Sequence, residues 1–127
     1  MFLNGDGMRG GPLHHQVRGA VLVRAATSAP KYHYYSVGDR FPAMLAVPTN
    51  GYAVVGEVYE LPLAVLRDHL LPAEPPELEL DVIELADGTA CLATVLRREF
   101  AGVPELKDIS EIGDWRAYLA TLPRQVT

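Results

Sequence analysis

The chain holds a single cysteine and a single tryptophan among 127 residues. No apolar run approaches the roughly 20 residues that a bilayer-spanning helix requires. Cys91 lies inside an apolar stretch with no second thiol to pair with, so a disulfide framework is excluded and a small buried hydrophobe is expected. Cationic side chains are scarce. Eleven Lys and Arg face sixteen Asp and Glu, for a net charge of −5, and they form no cluster and no stripe interleaved with aromatics. A nucleic-acid partner therefore has no electrostatic footprint. No basic segment followed by an apolar one comes after Met1, which predicts a soluble, cytoplasmic protein with no membrane role. The four histidines, His14, His15, His33 and His69, have no carboxylate at a ligand spacing. Neither a metal nor another cofactor is expected.

What is present is ordinary for a folded domain: 49% hydrophobic residues and 21% charged ones. The length fits one domain over residues 1–127, able to bury about two thirds of its unfolded surface. Residues 1–3, 19–25, 31–37, 43–47, 52–61, 78–85 and 89–96 read as strands, punctuated by Gly38-Asp39, Asn50-Gly51 and Asp87-Gly88 turns. Gly56 inside the fifth of these predicts a bulge or a close backbone approach. Pro62 opens a helix with Leu63, Leu66 and Leu70 on one stripe, which Pro72, Pro75 and Pro76 should end. A second helix is expected near the end, capped at Asp108 with Glu111 three residues on, and with Trp115, Tyr118 and Leu119 on one side. Hairpin-linked strands with few helices predict an α+β domain, a small twisted mixed β-barrel or sheet with flanking helices. The closed barrel has the attraction of leaving no edges.

Asn4-Gly5-Asp6-Gly7-Met8 is the segment with most chemical content. A loop with so little side-chain bulk brings backbone N–H groups close to a small anion; a plain turn, with Asp6 capping its own amides, accounts for the same composition. Tyr32 and Tyr34 share one strand face and His33 and Tyr35 the other, so one pair at most faces an interior. Arg40 could supply positive charge to an anionic ligand, or be an exposed turn residue.

These residues resemble the gamma-glutamylcyclotransferase-like fold. The strand followed by Asn4-Gly5-Asp6-Gly7-Met8 looks like its Tyr-Gly-Ser/Thr-x-Leu/Met loop, residues 52–61 like its signature strand, and Asp87-Gly88 like the hairpin before its next strand. Gly10 to Gln16, Ala26 to Tyr35 and Asp108 to Leu119 add a closer similarity to the C-terminal domain of allophanate hydrolase, and the matches in order span nearly the whole chain. The resemblance implies a pocket near the open end of the sheet, with Glu74 in the place of the catalytic glutamate. It implies ligand contacts from Asn4, Gly5, Asp6, Gly7 and Met8, with His15 as a further pocket residue; Tyr32, Tyr34 and Tyr35 could also line a pocket through their hydroxyls, or pack the sheet. Asn4 and Asp6 stand where the family usually has Tyr and Ser or Thr, and Asp6 puts a negative charge where a substrate carboxylate would sit.

The implied function is binding or transformation of a small carboxylated amide or carbamate in urea or amide metabolism. It takes the form of a cyclotransferase-type reaction or of decarboxylation in the allophanate pathway. The alternative is a non-catalytic binding or assembly module of the same fold. No amidase triad is present, so an amidase partner is implied, or a homo-oligomer; whether the chain catalyses anything stays open at this stage.

Overall fold

The computed structural model describes residues 1–123. The last four residues of the expected 1–127 domain lie outside them. Eight strands form three open sheets. In the first, β5 (Val55–Glu60) runs between β1 (Phe2–Leu3) and β2 (Val21–Thr27), antiparallel to both. In the second, β3 (Tyr32–Val37) lies between β4 (Phe41–Ala46) and β8 (Leu106–Asp108). The third is the hairpin of β6 (Leu78–Glu84) and β7 (Ala90–Leu96), turned at Asp87-Gly88 as expected. Isolated bridges, Ser28 to Leu85 and Tyr32 to Tyr52, tie the sheets together without closing them. The sheet is thus the form realised, and the closed barrel is not.

Three sequence expectations change. Asn50-Gly51 does not make a hairpin, because β4 and β5 belong to different sheets and the segment crosses between them. Pro72 does not end its helix. Residues 63–73 stay helical through a wide turn at Leu66–Leu70, where the Leu71 N–H reaches back to the Leu66 carbonyl. A wide turn just before a proline absorbs the clash of its ring with the preceding turn. It also rotates the stripe: Leu66 and Leu70 are buried while Leu63 is exposed. Near the end, Asp108 lies in a strand that the sequence reading did not separate, and the cap is Asp114, whose carboxylate accepts from the Arg116 and Ala117 N–H groups. Trp115 and Tyr118 pack inward from that helix; Leu119 does not.

Two hydrophobic clusters make up the core, and in the larger Phe2, Met8, Tyr34, Leu70 and Trp115 are each at most 1% exposed. Burying a side chain such as Leu70 stabilises the fold by about 1.5–3 kcal/mol. Cys91 packs against this core as a free thiol. Gly56 is a close approach: a Cβ there would stand 2.4 Å from the Leu3 carbonyl oxygen and 2.6 Å from the Phe2 ring. The glycine lets β1 lie on β5, and β1 delivers the chain into the Asn4–Met8 loop. Gly56→Ala is expected to cost about 2–3 kcal/mol by overpacking, measured by denaturant unfolding. A value within experimental error of wild type would show that β1 does not need this contact.

Candidate functional site

Leaving β1, the chain turns at once. The Met8 N–H bonds to the Gly5 carbonyl at 3.1 Å and the Leu13 N–H to the Asp6 carbonyl at 3.0 Å, which folds residues 4–13 into a compact loop. Three polar tethers hold it from outside. The Tyr34 hydroxyl donates to the Asn4 carbonyl at 2.8 Å and lies 3.1 Å from its side-chain oxygen. The Trp115 indole N–H donates to Asp6 Oδ1 at 3.1 Å. Glu57, 1% exposed, accepts the Arg9 N–H at 2.8 Å, the Arg9 Nε at 3.2 Å and the Tyr59 hydroxyl at 2.9 Å. His14 adds a ring nitrogen 2.9 Å from the Gly7 carbonyl. Among the described residues the N–H groups of Gly5, Asp6 and Gly7 have no acceptor in the protein.

That loop forms one wall of a cavity of about 200 Å³, lined by residues 3–7, Leu13, residues 40–42 and 73–75, Leu78 and Thr94. Its size suits a small metabolite and excludes a folded peptide or a dinucleotide. Glu74 lines the same cavity. It is the first extended residue after the helix, at φ −77° and ψ 146°, and the following Pro75 disfavours helical backbone at that position. Half-buried there, the Glu74 carboxyl is pushed up to about 7, first by loss of hydration and then by the charge of Asp6. At neutral pH it is poised between acid and base.

Five residues expected at the site therefore meet around one cavity: Asn4, Gly5, Asp6, Gly7 and Glu74. The other four lie elsewhere. Met8 points into the core. His15 is exposed in a 3₁₀ turn (His14–Val17), with Gln16 3.1 Å away. Tyr32 is buried on the inner face of β3, where its hydroxyl accepts the Glu84 N–H at 2.8 Å. Tyr35 is on the outer face, its hydroxyl 3.4 Å from His33 Nδ1. The inward pair on β3 is thus Tyr32 and Tyr34, and Tyr34 is the one that touches the loop. Asp6 does not cap the loop's own amides; its carboxylate goes to Trp115. Among the described residues no group of three His, Cys, Asp or Glu is placed to hold a metal, and no helix is long and apolar enough to cross a membrane.

Sequence reasoning missed Glu57, Tyr34 and Trp115 as supports of the loop. Glu57 had a readable signal: it sits two residues from Tyr59 on the same face of a strand whose interior is buried. Trp115, the only tryptophan, is also a built-in probe of the site. Its indole N–H resonance is expected to shift with a midpoint near pH 7 as Glu74 ionises beside Asp6. Nuclear magnetic resonance of Glu74→Gln should show that step abolished; a step surviving the substitution would mean that the indole reports another group. Trp115→Phe, which removes the donor to a carboxylate and leaves a void where the larger ring was buried, is expected to cost at least about 1.5–3 kcal/mol.

Fold and site together define a small α+β domain resembling the gamma-glutamylcyclotransferase-like fold, with an acidic cavity beside its first loop. The family model of the allophanate hydrolase C-terminal domain matches residues 1–120. The chain belongs to that family. Among solved structures it is similar to a uropathogenic Escherichia coli-specific protein, at 33% identity and a TM-score of 0.86 over 96% of this chain and 95% of that one. Kluyveromyces lactis allophanate hydrolase superimposes with a TM-score of 0.86 at 21% identity, over 94% of this chain but 20% of that chain. The K. lactis urea amidolyase gives 0.86 at 21% identity, over 94% of this chain and 8% of its own length. At such identity the two yeast enzymes show a shared fold, and this chain corresponds to a small part of each. No curated protein matches the chain.

Proposed function

We propose that the cavity binds a small carboxylated amide or carbamate and that Glu74 moves a proton to or from it. The carrying observation is that a half-buried carboxyl near 7 and a loop with three N–H groups lacking an acceptor line one cavity. In a decarboxylation of an N-carboxycarbamate, the bond from nitrogen to the departing carboxylate breaks. Its electron pair stays on nitrogen, CO₂ leaves, and neutral Glu74 gives its proton to that nitrogen before being reprotonated from solvent. In a cyclotransferase-type reaction the same residue, ionised, would instead take a proton from the attacking amine. In the second case the N–H groups of residues 5–7 stabilise the developing oxyanion; in the first they hold the carbamate carboxylate that remains and shares the charge left on nitrogen.

The test is to supply N-carboxycarbamate generated in place by an allophanate-cleaving amidase, and separately γ-glutamyl amino acids, while following CO₂ or 5-oxoproline. Glu74→Gln is expected to lower the turnover so detected by about 10²–10⁴-fold. Unchanged turnover in that variant would remove Glu74 from the mechanism. The second reading, an assembly module without chemistry, is favoured by the yeast chains, in which the matching region is joined to much longer polypeptide. It gains ground if no substrate turns over and the protein co-elutes with an amidase partner or as a homo-oligomer.

A further inference from the structure

Three ionisable side chains line the cavity: Asp6, Glu74 and Arg40. Two are acidic and lie close enough for the charge of one to act on the other. The Asp6 carboxylate is met by a neutral indole donor, which orients it without cancelling its charge. These two side chains therefore repel a carboxylate and accept N–H donors. Beyond backbone N–H groups, charge compensation for an anion has to come from a cation of the lining, and Arg40 is the one cation among the described lining residues.

Arg40 is held on a rigid turn. Gly38 and Asp39 both take left-handed backbone, at φ 58° each. Ser36 Oγ donates to Asp39 Oδ1 at 2.8 Å, and the Tyr118 hydroxyl donates to the same oxygen at 2.5 Å. The Arg40 N–H closes the turn onto the Val37 carbonyl at 3.1 Å. Beyond this anchored backbone the guanidinium lies 5.2 Å from the centre of the Phe41 ring. Among the described residues its one carboxylate contact is Nη2 to Glu77 Oε2 at 3.4 Å, with the arginine side chain 61% exposed. A charge-assisted bond normally closes to about 2.7–2.9 Å, and an exposed pair of this kind contributes little. A guanidinium carries five donors in a fork that suits a planar carboxylate; Glu77 engages one of them, and loosely.

Building on the cavity proposed above as a binding site, we propose that Arg40 is its carboxylate anchor, and that Glu77 occupies the guanidinium until an anionic ligand displaces it. The ligand class is then a short molecule with separated ends, a carboxylate toward Arg40 and an amide or carbamate N–H toward Asp6 and Glu74. A neutral diamide lacks the first of these ends and is rejected. Glu77 makes the site self-competing, so removing its charge strengthens binding.

Malonamate, a carboxylate and a primary amide joined by one methylene, is the probe, with malonamide as its neutral counterpart. Calorimetric titration of the wild-type chain is expected to show saturable malonamate binding and malonamide at least about tenfold weaker. Arg40→Ala should weaken malonamate by about tenfold or more and leave malonamide unchanged, while Glu77→Gln should tighten malonamate by about threefold. Thermal melts of both variants confirm folding. Arg40→Ala binding malonamate as wild type does, or Glu77→Gln binding it more weakly, overturns the anchor. If Asp6→Asn and Glu74→Gln alter binding in that case, the cavity stands as the site and only the anchor falls. No saturable binding to wild type up to about 10 mM overturns both.

Discussion

Glu74→Gln raises the unfolding temperature at pH 8 and leaves it unchanged at pH 4. The reasoning is linkage. In the folded chain the Glu74 carboxyl is pushed up to about 7, by burial first and by the Asp6 charge second, from an ordinary value of 4.5. Below 4.5 the carboxyl is protonated in both the folded and the unfolded chain and has no effect on their balance. Between 4.5 and about 7 the unfolded chain has released the proton and the folded one keeps it, so stability falls as pH rises. Above 7 the full cost is present and flat. A displacement of this size corresponds to at most about 3 kcal/mol. Partial exposure of the side chain reduces it. Glutamine keeps the shape and the hydrogen-bonding capacity and cannot ionise, so it escapes the cost altogether. The measurement is the melting temperature of both proteins at half-unit steps from pH 4 to 8.5. Curves that stay parallel would show that Glu74 is hydrated like a surface carboxyl, and with that the neutral acid poised for proton transfer would be lost. A residue that destabilises its own fold at working pH, beside a cavity, is the pattern expected where stability has been given up for chemistry.

The sequence was informative where local rules act without competition. The Gly38-Asp39 and Asp87-Gly88 turns, the alternation that sets Tyr32 and Tyr34 on one face, and the close approach at Gly56 all follow from backbone sterics and period-two patterning; which face is buried does not. It was less so where one local signal met another. Asn50-Gly51 carries the composition of a hairpin turn, yet β4 is already paired with β3, and β5 is claimed by β1 and β2. Pro72 ought to end a helix, but one wide turn accommodates it, so the helix runs on to Ala73 and Glu74 comes out facing the cavity. At the site, the first loop and Glu74 were visible as residue types and through the family resemblance. Arg40 was legible as a charge for an anionic ligand or as an exposed turn residue, and nothing local chose between the two. The tethers were invisible for a physical reason: Trp115 to Asp6 spans 109 positions, Glu57 to Arg9 spans 48, and Tyr34 to Asn4 spans 30. No local propensity encodes such pairs.

Glu57→Ala is expected to be the most damaging single substitution in the molecule, and to act on the loop before it unfolds the rest. The Glu57 carboxylate is buried on β5, opposite Leu3 of β1. Burial works against its charge. The Arg9 N–H, the Tyr59 hydroxyl and the Arg9 guanidinium outweigh that, with the more distant Arg116 adding to them, and hold the carboxyl below the usual range. Tyr59 is correspondingly raised to about 12, by burial first and then by its bond to Glu57. Removing the carboxylate leaves the buried Tyr59 hydroxyl and the Arg9 N–H without acceptors and opens a void where the side chain stood. Each lost acceptor costs about 1–3 kcal/mol, and the total should reach about 4 kcal/mol. Glu57→Gln keeps one oxygen for these donors and should cost about half as much.

The sign with pH is opposite to that of Glu74. Because the folded value is lowered, the contribution of Glu57 is complete above the unfolded value of 4.5 and fades as pH drops through the folded one. The penalty of Glu57→Ala is therefore large at pH 7 and shrinks in acid. Hydrogen exchange distinguishes a tether from general core damage: in Glu57→Gln the amides of Met8 and Arg9, bonded to the Gly5 carbonyl and to Glu57, should exchange at least about tenfold faster while those of β3 and β4 stay protected. Uniform acceleration across all strands would mean that Glu57 supports the core as a whole and has no particular hold on the loop. A selective effect would make the cavity wall a separately mobile unit, pinned by a carboxylate that never enters the cavity.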